Sequence, residues 1–129
     1  MKKIIVTGKT SRFVKFLKLD ADYPDQKQFN ILDEMNMNLY LKDKKFTHLI
    51  HIAGLSRPMQ LHQDDIIKSI NLNIVGTCNV VKVCKRHNIK LIYFSTSYVY
   101  PGTTGHYKET DPVYPVNPYA WSKLGGEAA

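Results

Sequence analysis

Residues 90–127 of the chain read KLIYFSTSYVYPGTTGHYKETDPVYPVNPYAWSKLGGE. The stretch opens with an apolar run, Leu91 to Phe94, that predicts a buried strand. A cluster of hydroxyl side chains, Ser95 to Ser97, follows where that strand ends. After a loop rich in Pro and Gly, Tyr119 and Lys123 stand four residues apart, which places them on one face of a helix. A hydroxyl at a strand end, together with a Tyr above a Lys, indicates a site for proton transfer.

The spacing of this Tyr–Lys pair carries little weight alone, because the same spacing occurs three times in the chain. The third pair is distinguished by its context, since a strand ending in hydroxyls lies upstream of it. In addition, Asn117 followed by Pro118 predicts a helix N-cap and a first helical residue, which places Tyr119 in the first turn. The other two pairs lie in polar stretches and predict solvated faces: Tyr23 with Lys27, and Tyr40 with Lys44.

Apolar runs alternate with helix-like patterns along the rest of the chain. Buried strands are predicted at residues 3–7, 47–53 and 91–94, with a short strand end at 29–33. Helices are predicted from the turn after Gly8 to about Leu19, from Asp33 to about Lys44, from Asp64 to about His87, and from Pro118 onward. Strands that are continuous apolar runs and alternate with helices indicate a parallel sheet with helices on both faces. The predicted fold class is therefore α/β.

The apolar positions of two helices predict which side chains face the core. In the helix that begins at Asp33, Met35 and Leu39 are predicted to face inward. The long helix carries one apolar stripe, made of Ile67, Ile70, Ile74, Cys78 and Val81. Three polar residues of the same helix fall largely opposite that stripe: Lys68, Asn79 and Arg86.

Three features of the sequence fall at the carboxyl ends of predicted parallel strands, where ligands of such sheets bind. They are Gly8, the pair Ala53–Gly54, and the hydroxyl cluster at 95–97. A strand, a Gly turn and a helix start is also the layout of a phosphate cradle. Here Ser11 and Val14 occupy the positions where a second and a third glycine are expected, so the cradle is incomplete.

Composition excludes several function classes. The formal net charge is +7, but the lysines are spread along the chain, so a solvated surface is favoured over a nucleic-acid interface. No apolar window is long enough for a membrane span. Cys78 and Cys84 have neither metal-ligand nor disulfide spacing and are typical of half-buried thiols in a reducing cytosol. The five histidines show no ligand spacing, so no metal site is predicted, and they are interpreted as ordinary strand, loop and surface residues: His48, His51, His62, His87 and His106.

Taken in order, the motifs of the chain resemble those of the extended short-chain dehydrogenase/reductases that act on nucleotide sugars, and most closely the dTDP-4-dehydrorhamnose reductase branch. The segments that carry the resemblance are Val6–Gly8, Asn30–Asp33, His51–Gly54, Asn73–Thr77, Ser95–Gly102, Tyr107–Asp111 and Asn117–Glu127. The resemblance covers nearly the whole chain. It implies a Rossmann-like doubly wound parallel sheet and an NAD(P)-dependent oxidoreductase of the 4-keto sugar reductase type, with a nucleotide sugar as substrate.

The resemblance also implies roles for individual residues. Tyr119 would be the proton donor to a substrate keto group, and Thr96 would hydrogen-bond the reacting oxygen. Lys123 would favour the ionised phenol through its charge and bind the nicotinamide ribose. The cofactor, NADP or NAD, would be lined or braced by Gly8, Ser11, Arg12, Asn30, Ile31, Ala53, Gly54, Asn73 and Lys123.

Two departures from the family pattern affect these expectations. The segment between Gly8 and Asn30 is shorter than the roughly 30 residues of a complete βαβ unit, so the second strand is expected to be shortened or absent. The chain also stops soon after Lys123, where the family continues with more strands and a substrate-binding region. Residues 1–129 are therefore predicted to form an NAD(P)-binding Rossmann-like domain that is truncated at the C-terminus, without the substrate-binding part.

Two readings of function follow from the truncation. The chain is a cytoplasmic fragment of a nucleotide-sugar oxidoreductase, or it is a non-catalytic Rossmann-like remnant or regulatory module. An apolar face exposed on the last helix predicts self-association, so a homo-oligomer is possible. The sequence does not select the sugar or choose between NAD and NADP.

Overall fold

A computed structural model describes residues 2–129. Its three strands are β1 (Ile4–Val6), β2 (His48–His51) and β3 (Lys90–Tyr93). Its α-helices are α1 (Glu34–Leu41), α2 (Leu61–Asp64), α3 (Ile66–Ile70), α4 (Gly76–Arg86) and α5 (Pro118–Ala128). Two 3₁₀ turns occur at Val14–Phe16 and Ser97–Val99, and a π-helical segment, Asn71–Val75, joins α3 to α4.

The strands form one parallel sheet in the order β1-β2-β3. Val6 is opposite Ile50, which is opposite Ile92, and the neighbouring row is Ile5, Leu49 and Leu91. This parallel sheet with connecting helices confirms the predicted α/β class. Both helix N-caps are confirmed as well, since the side chains of Asp33 and Asn117 accept the backbone N–H groups of Asn36 and Ala120 at 2.9 and 2.8 Å.

The predicted strand end at 29–33 is wrong, because these residues form turns. Their backbone N–H groups are taken by nearby side chains: Asn30 N–H donates to Asn36 Oδ1 at 2.7 Å, and Leu32 N–H donates to Asn30 Oδ1 at 3.0 Å. The second strand is reduced to one parallel bridge between Asp22 and Ile5. The expected shortening is therefore confirmed, and it lies earlier in the chain, on the outer side of β1.

That single bridge is braced by a pair that was predicted to be solvated. The Tyr40 hydroxyl donates to Asp22 Oδ2 at 2.7 Å, and Lys44 Nζ lies 3.2 Å from the centre of the Tyr40 ring. Burial, and after it the hydrogen bond to Asp22, raises the pKa of Tyr40. The pair therefore fixes the end of α1 to the residual second strand, and its interpretation as a solvated face is corrected.

The helix predicted to end near Leu19 is also absent, because only the 3₁₀ turn at Val14–Phe16 forms there. Val14 is buried against Val6 and Ala21, whereas Phe16 is 82% exposed. One face of the sheet is thus covered by this turn at β1 and open toward β3, where Ile92 is 41% exposed.

The other face of the sheet carries the main core. Ile5 and Leu49 pack there against α1 and α4 through Met37, Leu41 and Val80. The prediction for α1 is corrected, because Met35 and Leu39 are 73% and 66% exposed. The inward pair is Met37 and Leu41, which lie on the opposite side of the helix from the predicted pair.

The apolar stripe predicted for the long helix is corrected as well. Ile67 is 65% exposed and Ile70 is 38% exposed, whereas Asn79 is buried and donates its amide to the Ile31 carbonyl at 3.0 Å. The predicted single helix is divided into α2, α3, the π-helical segment and α4. A π turn adds a residue to the helical repeat, so a stripe extrapolated at 3.6 residues per turn no longer faces the core beyond it. The side chains that do face inward include Asn73, Thr77, Val80 and Val83.

Candidate functional site

A groove of about 540 Å³ lies at the carboxyl ends of β1 and β2. Six of the residues predicted to contact a cofactor line it: Gly8, Ser11, Asn30, Ile31, Ala53 and Gly54. Arg12 is not among the lining residues and is exposed, and Asn73 lies behind the wall, where it is buried. Two of the three strand-end features predicted to converge, Gly8 and the pair Ala53–Gly54, line this groove, whereas the hydroxyl cluster at 95–97 is not among its lining residues.

The turn after β1 forms one end of the groove. Gly8 has φ +83°, and a Cβ there would come within 2.8 Å of the Ala53 backbone nitrogen. The turn closes with Ser11 N–H donating to the Gly8 carbonyl at 2.8 Å, and Ser11 Oγ accepts from Val14 N–H at 3.2 Å. The third glycine of such loops permits close packing of a helix on the strand. Because a 3₁₀ turn replaces that helix, a buried Val14 fits in its place.

A hydrogen-bond chain runs behind the groove wall from β1 to α4. Thr7 Oγ1 accepts the N–H groups of Ile52 and Ala53, both at 3.1 Å, so its own proton goes to His51 Nδ1 at 2.9 Å. Thr77 Oγ1 donates to the Asn73 carbonyl at 2.9 Å and so accepts from His51 Nε2 at 3.1 Å. These partners assign His51 as the neutral tautomer protonated at Nε2.

The hydrogen bonds of His51 to two threonines were not predicted from the sequence, in which His51 stands as an ordinary strand residue. The side chain is 1% exposed. Burial, with a smaller contribution from the charge of Lys123, lowers the pKa of His51 to about 3. Both partner threonines are distant in sequence, so the spacing of the chain gave no signal for the bond.

Asn73 joins three parts of the site. Its Oδ1 accepts from Leu55 N–H at 2.7 Å, and its Nδ2 donates to the Leu55 carbonyl and to Ser122 Oγ, both at 2.8 Å. Ser122 Oγ in turn donates to the Tyr119 carbonyl at 2.7 Å. Asn73 lies in the π-helical segment. The loop after β2 is thereby tied to the first turn of α5, which carries Tyr119.

Lys123 lies at the carboxyl end of β3. Its Nζ donates to the Phe94 carbonyl at 2.6 Å and lies 4.4 Å from the centre of the Tyr93 ring. The Tyr93 hydroxyl donates back to the Lys123 carbonyl at 3.0 Å. Burial lowers the pKa of Lys123 to about 8, against the opposing effect of Glu127. The ammonium group is therefore held at the carbonyl that lies two residues before Thr96.

Tyr119 and Thr96 belong to neighbouring elements. Thr96 Oγ1 accepts from Tyr98 N–H at 3.3 Å and caps the 3₁₀ turn that packs on α5. The Tyr98 ring lies 6.1 Å from the Tyr119 ring, edge to face. His62, which sequence analysis also treated as ordinary, contacts Tyr119 from α2 with ring centres 5.1 Å apart. Nothing in the sequence pattern indicated that contact.

Three charged residues line the groove without having been predicted there: Lys9, Asp25 and Lys68. Asp25 Oδ1 accepts the N–H groups of Lys27 and Gln28 at 2.9 and 3.0 Å, which fixes the carboxylate. It lies beside Phe29, Asn30 and Ile31 in the lining. Asp25 could have been found from the sequence by its position, because it follows the residual second strand, where dinucleotide-binding folds carry an acidic residue.

Within residues 2–129, no group of three His, Cys, Asp or Glu side chains could hold a metal ion. In the same range no helix is long and apolar enough to cross a bilayer. Cys84 is buried, which raises the pKa of its thiol to about 11, and Cys78 is half-buried. The prediction of half-buried thiols is therefore correct for Cys78 and wrong for Cys84, which is buried in the core.

Comparison with known families gives a match that covers almost the whole chain. The family model described as the RmlD substrate binding domain matches residues 3–129. The solved dTDP-4-dehydrorhamnose reductase of Bacillus anthracis, in complex with NADP, superposes with a TM-score of 0.87 at 26% identity and covers 99% of this chain. The predicted Rossmann-like fold and the family resemblance are confirmed by these findings.

Two curated relatives carry different names. Methionine adenosyltransferase 2 subunit beta of Xenopus laevis is 36% identical over 100 residues, which is 78% of this chain and 30% of the relative. The dTDP-4-dehydrorhamnose reductase of Aggregatibacter actinomycetemcomitans is 29% identical over 113 residues, which is 87% of this chain and 35% of the relative. The chain also spans 49% of the solved Bacillus chain. It therefore corresponds to less than half the length of each of these proteins.

Proposed function

Because the chain belongs to the RmlD substrate binding domain family, we propose that residues 1–129 form the dinucleotide-binding part of an NAD(P)-dependent nucleotide-sugar oxidoreductase of the 4-keto sugar reductase type. The observation that carries the proposal is the position of Lys123. Its Nζ donates to the carbonyl of Phe94, the residue directly after β3. This carbonyl lies at the same sheet edge as the groove that Gly8 lines. The lysine proposed to act in proton transfer and the groove proposed to bind the dinucleotide thus share one edge of the fold, the edge where ligands of parallel sheets bind.

The residues of the groove fit a dinucleotide. Gly8 lines the groove in a turn with φ +83°, a backbone conformation that the first glycine of a phosphate-binding loop can adopt. The bound nicotinamide would supply the hydride chemistry, while the chain positions and polarises the reacting groups. Lys9 and Lys68 would provide positive charge toward the phosphates.

The side chains at the β3 end would handle the proton. Tyr119 would donate a proton to the substrate keto oxygen, and Thr96 would hydrogen-bond the same oxygen. Lys123 would stabilise the phenolate that forms, and its ammonium is already oriented by the Phe94 carbonyl. Asn73 and Ser122 would keep the first turn of α5 in register with the groove wall.

The test of this function is titration of the chain with NADPH and NADH by calorimetry. We expect saturable binding that Lys123→Met weakens by about tenfold, because a charge-assisted hydrogen bond of roughly 1.4 kcal/mol or more is lost. Lys85→Met is the matched control, since Lys85 is an exposed residue of α4 outside the groove. A folded chain that binds neither nucleotide, or equal weakening by both substitutions, would contradict the proposal.

Asp25 provides a prediction about the choice between NADP and NAD. Asp25 lies in the groove lining beside Asn30 and Ile31, and an adenosine bound at this end would place a 2′-phosphate near its carboxylate, which would repel it. We expect Asp25→Asn to raise the affinity for NADPH relative to NADH by about fivefold, since one like charge near the surface costs about 1 kcal/mol. Asp43→Asn, outside the groove, is the control. An unchanged NADPH-to-NADH ratio would exclude Asp25 from the adenosine end.

A second candidate function is that of a non-catalytic regulatory module. It is favoured by the relatives named as a beta subunit of methionine adenosyltransferase 2, which include the Xenopus laevis protein. Under this proposal the groove still binds a dinucleotide, and the partner is a methionine adenosyltransferase. Co-elution with that enzyme, without oxidation of NADPH by a dTDP-4-keto sugar, would favour the regulatory module. Turnover of the sugar would favour the reductase.

A further inference from the structure

His62 is a buried residue on a short element. It lies on the one-turn helix α2 and is 0% exposed. Its Nδ1 lies 2.6 Å from Ser69 Oγ on α3, which fixes the imidazole from one side. A histidine in this position is therefore held as firmly as a core residue, although α2 itself has only four residues.

The imidazole ring of His62 contacts the ring of Tyr119. The two ring centres are 5.1 Å apart with an interplanar angle of 60°, which is an edge-type aromatic contact. Tyr98 makes a second edge contact with Tyr119 at 6.1 Å and 89°. Because Tyr98 is 53% exposed, His62 is the rigid member of the pair that surrounds the phenol ring.

The other ring nitrogen of His62 is unusual. His62 Nε2 is buried, and among residues 2–129 no group is placed to form a hydrogen bond with it. A buried polar atom without a partner is destabilising, and an apolar ring of the same shape would avoid that cost. What the ring provides at this position is the aromatic contact with Tyr119, which an apolar ring of the same shape could also make.

The surroundings of His62 connect Tyr119 to the groove. Burial lowers the pKa of His62, against a smaller opposing effect of the Ser56 backbone. Ser56 lines the groove. The imidazole thus lies between the Ser56 side of the groove and the phenol of Tyr119.

We propose that His62 is a positioning residue that holds the phenol ring of Tyr119 in a fixed orientation beside the dinucleotide groove. The contact with Tyr119 and the bond to Ser69 carry this assignment. The role of this orientation in proton transfer by Tyr119 rests on the proposed function. The positioning itself does not.

The test is nuclear magnetic resonance of the 129-residue chain with ¹³C-labelled tyrosine rings, the Tyr119 signals being identified by their loss in Tyr119→Phe. We expect His62→Ala to remove the ring-current shift of Tyr119 and to speed its ring flips. His62→Phe should restore the shift, and Ser69→Ala should give an intermediate change. His106→Ala, in an exposed loop, is the control and should change nothing at Tyr119.

Unchanged Tyr119 signals in a folded His62→Ala chain would overturn the proposal, as would failure of His62→Phe to restore the shift. Where His62→Ala does not fold, Ser69→Ala decides, and unchanged Tyr119 signals in that variant would overturn the proposal. Titration of the same samples with NADPH and NADH separates the two claims. A wild-type chain that binds neither nucleotide, while His62→Ala still displaces Tyr119, would remove the proposed function and leave the positioning contact in place.

Discussion

Gly8→Ala is expected to lower the free energy of unfolding by about 3 kcal/mol and to abolish dinucleotide binding. At φ +83° an alanine carries a left-handed penalty of about 1–2 kcal/mol. Its Cβ would also lie 2.8 Å from Ala53 N and 3.0 Å from Ile52 C, which are backbone atoms of the neighbouring strand end. Since backbone cannot rotate away, the second cost is that of overpacking, about 1–3 kcal/mol.

Gly102→Ala is the matched control for that experiment. Gly102 has a similar φ of +76°, but a Cβ there would meet nothing within 4 Å. We expect it to cost only the left-handed penalty and to leave nucleotide binding intact. Urea denaturation of both variants, with calorimetry on the folded fraction, separates the two effects. Equal losses of stability in the two variants would show that the close approach of Gly8 to the residues after β2 adds nothing to the cost of the Gly8→Ala substitution.

The parts of the fold that sequence predicted correctly depend on local chemistry. Both N-caps were found because Asp33 and Asn117 bond to backbone within their own first turn. The convergence of Gly8 and Ala53 followed from the rule that parallel strands end at one sheet edge. Such features depend on a few neighbouring residues, so they can be read without knowledge of the tertiary structure.

The parts that sequence missed depend on partners far apart in the chain. The His51 chain joins Thr7 to Thr77, and Asn73 reaches Ser122 across 49 positions. The prediction of the apolar stripe on the long helix was wrong, because the π-helical segment at 71–75 changes which face of the helix points toward the core. The spacing of apolar residues along the chain does not reveal that one turn of the helix will contain more than 3.6 residues.

The stability of the chain is expected to fall steeply as the pH decreases below 6.5, because of His51. Its folded-state pKa of about 3 lies below the ordinary value of 6.5. Between these two pH values the histidine is protonated in the unfolded chain and neutral in the folded chain. The stabilisation from the neutral imidazole is complete above pH 6.5 and is lost toward pH 3. Each pH unit well inside that range removes about 1.4 kcal/mol, and the loss between pH 6.5 and 4.5 is roughly 2.3 kcal/mol, because the slope is only half as large at pH 6.5.

His51→Gln isolates that contribution from the other titrating groups. The amide is neutral at every pH, so this variant is expected to be less stable than the wild type at pH 7.5 by about 2–3 kcal/mol, because the Thr7 and Thr77 bonds are disturbed. Its stability should depend less on pH, so that the two curves converge near pH 4.5. Lys123 does not contribute to the difference, since its pKa of about 8 lies above this window.

The measurement is urea denaturation of both chains at intervals between pH 7.5 and 4.5. His62 also has a lowered pKa, and its share is present in both chains and cancels in the difference. Parallel curves would mean that His51 accepts a proton in the folded state at ordinary pH. In that case the chain from Thr7 to Asn73 could not have the assigned direction, because a protonated imidazole has no acceptor nitrogen for the Thr7 hydroxyl.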